Sequence, residues 1–159
     1  MNTDRFGTNE NDIYLFFEVI RQSSPKRVLD VGLFAQRIGM ISRQAMNCEI
    51  PTGTELTGWN ILNLSILPVY ETIYDEIKNS VSKPDASYDL IFLFHVNEFL
   101  NQADKASLWE LLISHGKSII ADASDSHFLS YMTQRCSLES VQLEQQQYVF
   151  IRTPDHSTS

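Results

Sequence analysis

The sequence predicts an α/β fold: a three-layer sandwich on a mostly parallel seven-stranded sheet that ends in an antiparallel hairpin. Three observations carry this expectation. Short apolar runs alternate with helically spaced segments, the pattern of a parallel sheet with helices on both faces. Arg27-Val28-Leu29-Asp30-Val31 and Tyr88–Phe94 are nearly continuous apolar runs, as strands buried on both faces are. The last two runs, Ser140–Leu143 and Tyr148–Ile151, are separated only by Glu144-Gln145-Gln146-Gln147, which makes them a hairpin.

The elements follow in order. Residues 1–9 are polar and read as a flexible N-terminus, 10–152 as a single domain, and 153–159 as a flexible tail. Residues 11–22 place Ile13, Phe16, Phe17 and Ile20 on one helix face, with Asp12 as a candidate cap and Ser23-Ser24-Pro25 as the stop. Arg27–Val31 is the first strand. Residues 35–48 resume helical spacing through Ile38, Ile41, Ala45 and Cys48, and Pro51-Thr52-Gly53 ends them. Glu55–Ile61 and Val69–Tyr74 are the second and third strands, and 75–81 a short helix before the turn at 83–85. Tyr88–Phe94 is the fourth strand. A helix over Asp104–Ser114, with Asp104 as cap or first-turn acid, precedes the fifth strand, Ser118–Ala121, and a further helix spans Ser126–Arg135.

Composition narrows the function. Hydrophobic residues make up 43% of the 159 and charged residues 20%, which excludes disorder and fibrous architecture. Twelve Lys and Arg against 20 Asp and Glu leave a net charge of −8, and an acidic surface repels phosphates, so nucleic acid is not expected as a partner. No apolar run approaches the roughly 20 residues that span a bilayer, and the first residues lack the apolar core of a secretory signal. Two cysteines, Cys48 and Cys136, make neither a disulfide framework nor a zinc cluster. A cytoplasmic domain without nucleic-acid or membrane partners is the expectation.

At Arg27-Val28-Leu29-Asp30-Val31-Gly32 the chain resembles the class I, seven-stranded S-adenosylmethionine-dependent methyltransferases, whose Rossmann-like first strand ends in an acid before a glycine-rich turn. The resemblance covers about residues 10–152. Tyr88–Phe94 followed by His95-Val96-Asn97-Glu98-Phe99-Leu100 is similar to that family's fourth-strand motif, and the terminal hairpin to its reversed last strand. The resemblance implies S-adenosylmethionine as cofactor, held by Asp30, Gly32, Phe34, Asn60, Asp75 and His95. Asp30 would receive the cofactor's ammonium, Asn60 the ribose hydroxyls and Asp75 the adenine.

The motifs depart from the family in two places. Phe34 and Gln36 stand where two glycines are usual, so Phe34 either crowds the methionine portion or turns into the core. Asn60 replaces the usual ribose-binding acid, and an amide carries no charge to strengthen those bonds.

Each candidate also has a purely structural reading. Asp30 serves equally as an anchor for the following helix, and Phe34 and Gln36 as plugs in a vacated pocket. His95 is the candidate catalytic base, since its reference pKa lies near neutrality. Asp122 and His127 flank the end of the fifth strand. None of His95, Glu98, Asp122 and His127 has zinc-motif spacing, so no metal is expected. Tyr70 and Tyr74 are pocket candidates near the adenine region.

Two functions follow. One is methyl transfer from S-adenosylmethionine to a small molecule, with a homodimer partner completing the pocket. The alternative is a catalytically inactive methyltransferase-fold binding or scaffold protein that has lost cofactor binding and engages a small molecule or a protein.

Overall fold

Apolar residues that alternate along each strand set the layering. In β4 (Leu90–Leu93) and just beyond it, Leu90, Phe92 and Phe94 enter one core while Ile91 and Leu93 enter the other. β1 (Arg27–Val31) divides the same way, Val28 to the first core and Leu29 and Val31 to the second. β5 (Ser118–Asp122) gives Ile120 to the first and Ile119 and Ala121 to the second. Successive side chains on a strand point to opposite faces, so strands apolar at every position demand cover on both sides.

The computed structural model describes residues 10–40, 42, 44, 50, 51, 53–74 and 87–154. Its seven-stranded sheet runs in the order β3 (Thr72–Tyr74), β2 (Glu55–Trp59), β1, β4, β5, β7 (Gln146–Arg152), β6 (Ser137–Leu143). The first five strands are parallel, and β7 is antiparallel to both β5 and β6. The predicted fold class is the observed one.

The first core is covered by α1 (Glu10–Ser23) and α2 (Phe34–Arg37). Phe16, Phe34, Phe92 and Phe94 are fully buried there, with ring centroids 4.4–5.5 Å apart along the chain of contacts. Such aromatic pairs add about 0.5–1.5 kcal/mol each beyond their burial. The second core is covered by α3 (Gln102–His115) and α4 (Ser126–Thr133), through Leu108, Trp109, Leu112, Phe128 and Met132.

Several boundaries differ from the sequence expectation. The helix predicted to run unbroken over 35–48 is interrupted: α2 ends after one turn at Arg37, and Gln44, which is again helical, stands among residues outside the description. The Gly39 amide bonds the Gln36 carbonyl and the Met40 amide the Ala35 carbonyl, with Gly39 at φ +106°. That is a Schellman ending, and glycine adopts it without a Cβ penalty. Ile41, Ala45, Cys48, the predicted helix 75–81 and the turn 83–85 lie outside the described residues.

β2 and β3 are shorter than predicted, and residues 60–71 between them are irregular. The α3 cap is Asn101, which accepts from the Asp104 amide, so Asp104 is the first-turn acid. The hairpin is tighter than predicted: Leu143 pairs with Gln146, leaving Glu144 (φ +56°) and Gln145 as the turn.

β1 marks the place where the strand order reverses, β2 and β3 lying on one side and β4 on the other. In open α/β sheets, ligands bind in the crevice outside the carboxyl ends of the strands at that switch. The crevice between the ends of β1 and β4 is therefore where a site belongs.

Candidate functional site

Asp30, next to last in β1, is fully buried. Oδ1 accepts from the Phe34 amide at 2.7 Å, and Oδ2 from the Ala35 amide at 2.9 Å and the Tyr70 hydroxyl at 2.8 Å. It anchors the first turn of α2, whose amides have no intrahelical partners. Burial raises its pKa, offset in part by those three hydrogen bonds and the nearby Arg37 charge. The same burial and the Asp30 charge push the Tyr70 hydroxyl well above its ordinary value.

Gly32 follows with φ +86°, and a Cβ there would lie 2.6 Å from Val96 Cγ2 and 3.3 Å from Arg37 Nη2. The close approach that this glycine permits is made by the protein's own side chains. Arg37 Nε donates to the Gly32 carbonyl at 2.9 Å and Nη2 to the Phe94 carbonyl at 2.8 Å. One guanidinium thus ties the carboxyl ends of β1 and β4 together across the switch-point crevice. Sequence reading missed Arg37; its place one turn past Gly32 was the available signal.

Phe34 turns into the first core, fully buried, with Arg37 stacked 5.5 Å from its ring centroid. It neither crowds the crevice nor plugs it. Gln36 accepts from the Leu67 amide at 3.0 Å, and its Nε2 donates to the Ser65 carbonyl. It pins the loop after β2 over α2.

Asn60 sits at the end of β2, as predicted, and is buried. Its Oδ1 accepts from the Leu64 amide and its Nδ2 donates to the Leu64 carbonyl, both at 2.8 Å. Both halves of the amide close a local loop. Asp75 and the Tyr74 side chain lie outside the described residues.

His95 follows β4 in a left-handed conformation, φ +55°. For a non-glycine residue that costs about 1–2 kcal/mol. Its amide donates to Asp122 Oδ1 at 2.7 Å, and its Nε2 lies 2.8 Å from Oδ2 of the fully buried Asp12. Asp12, the candidate cap of α1, lies within the helix and turns its carboxylate to the sheet. The Tyr148 hydroxyl donates to its other oxygen, and Ser124 donates to Asp122. His95 Nδ1 stands 3.9 Å from both Glu98 and Asp122.

Burial pulls the imidazole pKa down, but the Asp12 hydrogen bond and the charges of Asp122, Asp12 and Glu98 outweigh it, and the net shift is upward. The fold thus joins His95, Glu98 and Asp122, adds Asp12 and Tyr148 from distant sequence, and leaves His127 exposed on α4. Among the described residues no group of three or more His, Cys, Asp or Glu side chains is arranged to hold a metal ion. No described helix is long and apolar enough to cross a membrane.

S-adenosylmethionine, as the resemblance would hold it, needs the space over Gly32 and the polar groups of Asp30 and Asn60. Val96 and Arg37 fill the space over Gly32, Leu64 takes both groups of Asn60, and α2 takes both oxygens of Asp30. As arranged, these residues do not fit the cofactor. A cavity of about 740 Å³ lies instead at the opposite, amino ends of the strands, between Val19, Lys26, Asp89, Leu90, Lys117 and Phe150.

The fold is that of the class I S-adenosylmethionine-dependent methyltransferases. The chain is similar to the O-methyltransferase TomG from Streptomyces achromogenes, involved in tomaymycin synthesis and solved with SAM. The two are 11% identical over 95% of this chain and 83% of that one, with a TM-score of 0.63. It is similar in the same way to an O-methyltransferase from Bacillus cereus solved with SAH, at 11% identity over 96% and 85% of the two chains and a TM-score of 0.63. The SAH-bound methyltransferase PaMTH1 of Podospora anserina gives 12%, 94% and 81%, and 0.62. At such identities the likeness is one of fold. No protein-family model matches the sequence, and no curated protein matches it.

Proposed function

We propose that this chain is a methyltransferase-fold binding protein whose cofactor crevice is held shut by its own residues, so that it does not transfer methyl groups in this form. Arg37 carries the reading. Its two charge-assisted bonds bridge the carbonyls of Gly32 and Phe94 across the place where the fold receives a ligand. Asn60 supports it, since a ribose would have to displace two hydrogen bonds to Leu64.

The test is a titration of the full chain with S-adenosylmethionine and S-adenosylhomocysteine by calorimetry. No heat of binding at millimolar ligand is expected. Micromolar binding to either would overturn the closed-crevice reading.

A second reading is methyl transfer to a small molecule, with S-adenosylmethionine as cofactor and His95 as the base. What favours it is the Asp12–His95–Asp122 arrangement at the ends of β4 and β5, where Asp12 holds Nε2 and leaves Nδ1 3.9 Å from Glu98 and Asp122. When bound, the cofactor would supply the electrophilic methyl group. Binding in the titration, followed by methyl transfer that His95→Gln abolishes, would establish this alternative.

A further inference from the structure

Asp12 is fully buried in the first turns of α1, and a buried carboxylate requires partners that compensate its charge. Those partners come from distant elements: the Tyr148 hydroxyl on β7 and the His95 ring after β4. His95 is itself fixed through its backbone by Asp122 at the end of β5. Around the imidazole stand Asp12 from α1, Glu98 from the turn after β4 and Asp122 from β5, and Tyr148 from β7 holds the other oxygen of Asp12. Arg37 from α2 acts electrostatically on both Asp12 and Asp122. Three carboxylates thus face one histidine. The start of α1 has a polar fastening, separate from the apolar contacts that Phe16, Phe17 and Ile20 make further along.

We propose that His95 is a proton-operated latch on α1: protonated, it holds Asp12 and the first turns of the helix against the carboxyl ends of β4 and β5, and deprotonated it loosens them and uncovers that edge. Nε2 keeps its proton on Asp12, and the proton exchanged with solvent is the one on Nδ1, beside Glu98 and Asp122. The direction follows from linkage. The His95 pKa is raised above its ordinary value of about 6.5. The contribution is therefore complete below about 6.5 and lost as pH rises through the higher folded value. Tyr148 stays protonated throughout, because burial and Asp12 push its hydroxyl pKa up. The latch does not rest on the crevice being closed.

The experiment is hydrogen exchange of the full chain from roughly pH 5.5 to pH 9, with rates corrected for intrinsic base catalysis, beside an NMR titration of the His95 ring. The ring should titrate above its ordinary value. Protection over 10–17 should fall about tenfold for each pH unit of that shift, while β1 and β4 keep theirs. His95→Gln retains a donor to Asp12 but cannot titrate, and its α1 protection should be flat with pH. Three results would each overturn the latch: flat protection in the wild-type chain, the same loss in His95→Gln, or a ring that titrates at or below the ordinary value. Where the variant does not fold, the wild-type profile and ring titration decide alone.

Discussion

Arg37 makes charge-assisted bonds to two carbonyls, of Gly32 and Phe94, that end adjacent parallel strands. Hydrogen bonds to charged groups contribute about 1.5–3 kcal/mol each, so Arg37→Ala should lower the stability of the fold by an amount on that scale. A urea-denaturation midpoint checks this, and an unchanged midpoint would mean the guanidinium is not a structural tie. Asn60→Asp would bring the chain closer to the family pattern, yet the structure predicts a cost. A carboxylate has no donor for the Leu64 carbonyl and sets one oxygen against another. The expected loss is about 1–3 kcal/mol in the same assay, and a stabilised variant would show that Leu64 is not its working partner. Asp30, Gly32 and Asn60 were legible as the ends of strands. Their hydrogen-bond partners were not, because each side chain could reach a ligand or the chain's own backbone, and only tertiary placement chooses between them.

Among elements, the loop 60–71 shows how a connection can be ordered without secondary structure. Asn60 closes its start, Gln36 holds Ser65 and Leu67, and Tyr70 reaches Asp30. Gln36→Ala should release the middle of the loop. Limited proteolysis between 61 and 68 should then accelerate, while the global midpoint moves by less than about 1 kcal/mol, the worth of an exposed neutral hydrogen bond. Equal cleavage rates would mean that Asn60 and Tyr70 suffice. Periodicity placed α1 and α3 to within two residues and found each strand, because apolar spacing is a local property. It overran β2, β3 and β4, because the ends of strands are set by their partners. It also overran α2, because a left-handed Gly39 ends that helix after one turn while the apolar spacing continues.

For the whole molecule, the described residues divide by the pH at which they matter. Asp89 and Asp125 have lowered pKa values. Burial raises each, but backbone amides and a lysine outweigh it, Lys117 for Asp89 and Lys105 for Asp125. Carboxylates of this kind stabilise the fold above their ordinary value of about 3.9 and lose that contribution as pH falls through the lower folded value. Stability measured by urea should therefore decline on acidification below about pH 4. Asp125 also caps α4 through the amides of His127 and Phe128 and pairs with Lys105 at 3.0 Å. Asp125→Asn should lower stability at neutral pH and flatten the acid limb. A parallel downward shift across the whole range would show that its charge plays no part. Loss of the His95 contribution belongs to the opposite, alkaline side.

The sequence by itself determined the layers: short, nearly continuous apolar runs alternating with helical spacing make strands covered on both faces, and a short polar break between the last two runs reverses the chain. It also marked the strand ends where a site would lie. Tertiary structure decided what happens there. Arg37 lies 57 residues from Phe94, and Asp12 lies 83 from His95 and 136 from Tyr148. Contacts over such separations leave no local period in the sequence. Whether Gly32 faces a ligand or Val96, and whether Asp12 caps its helix or clamps it to the sheet, depends on how the elements pack.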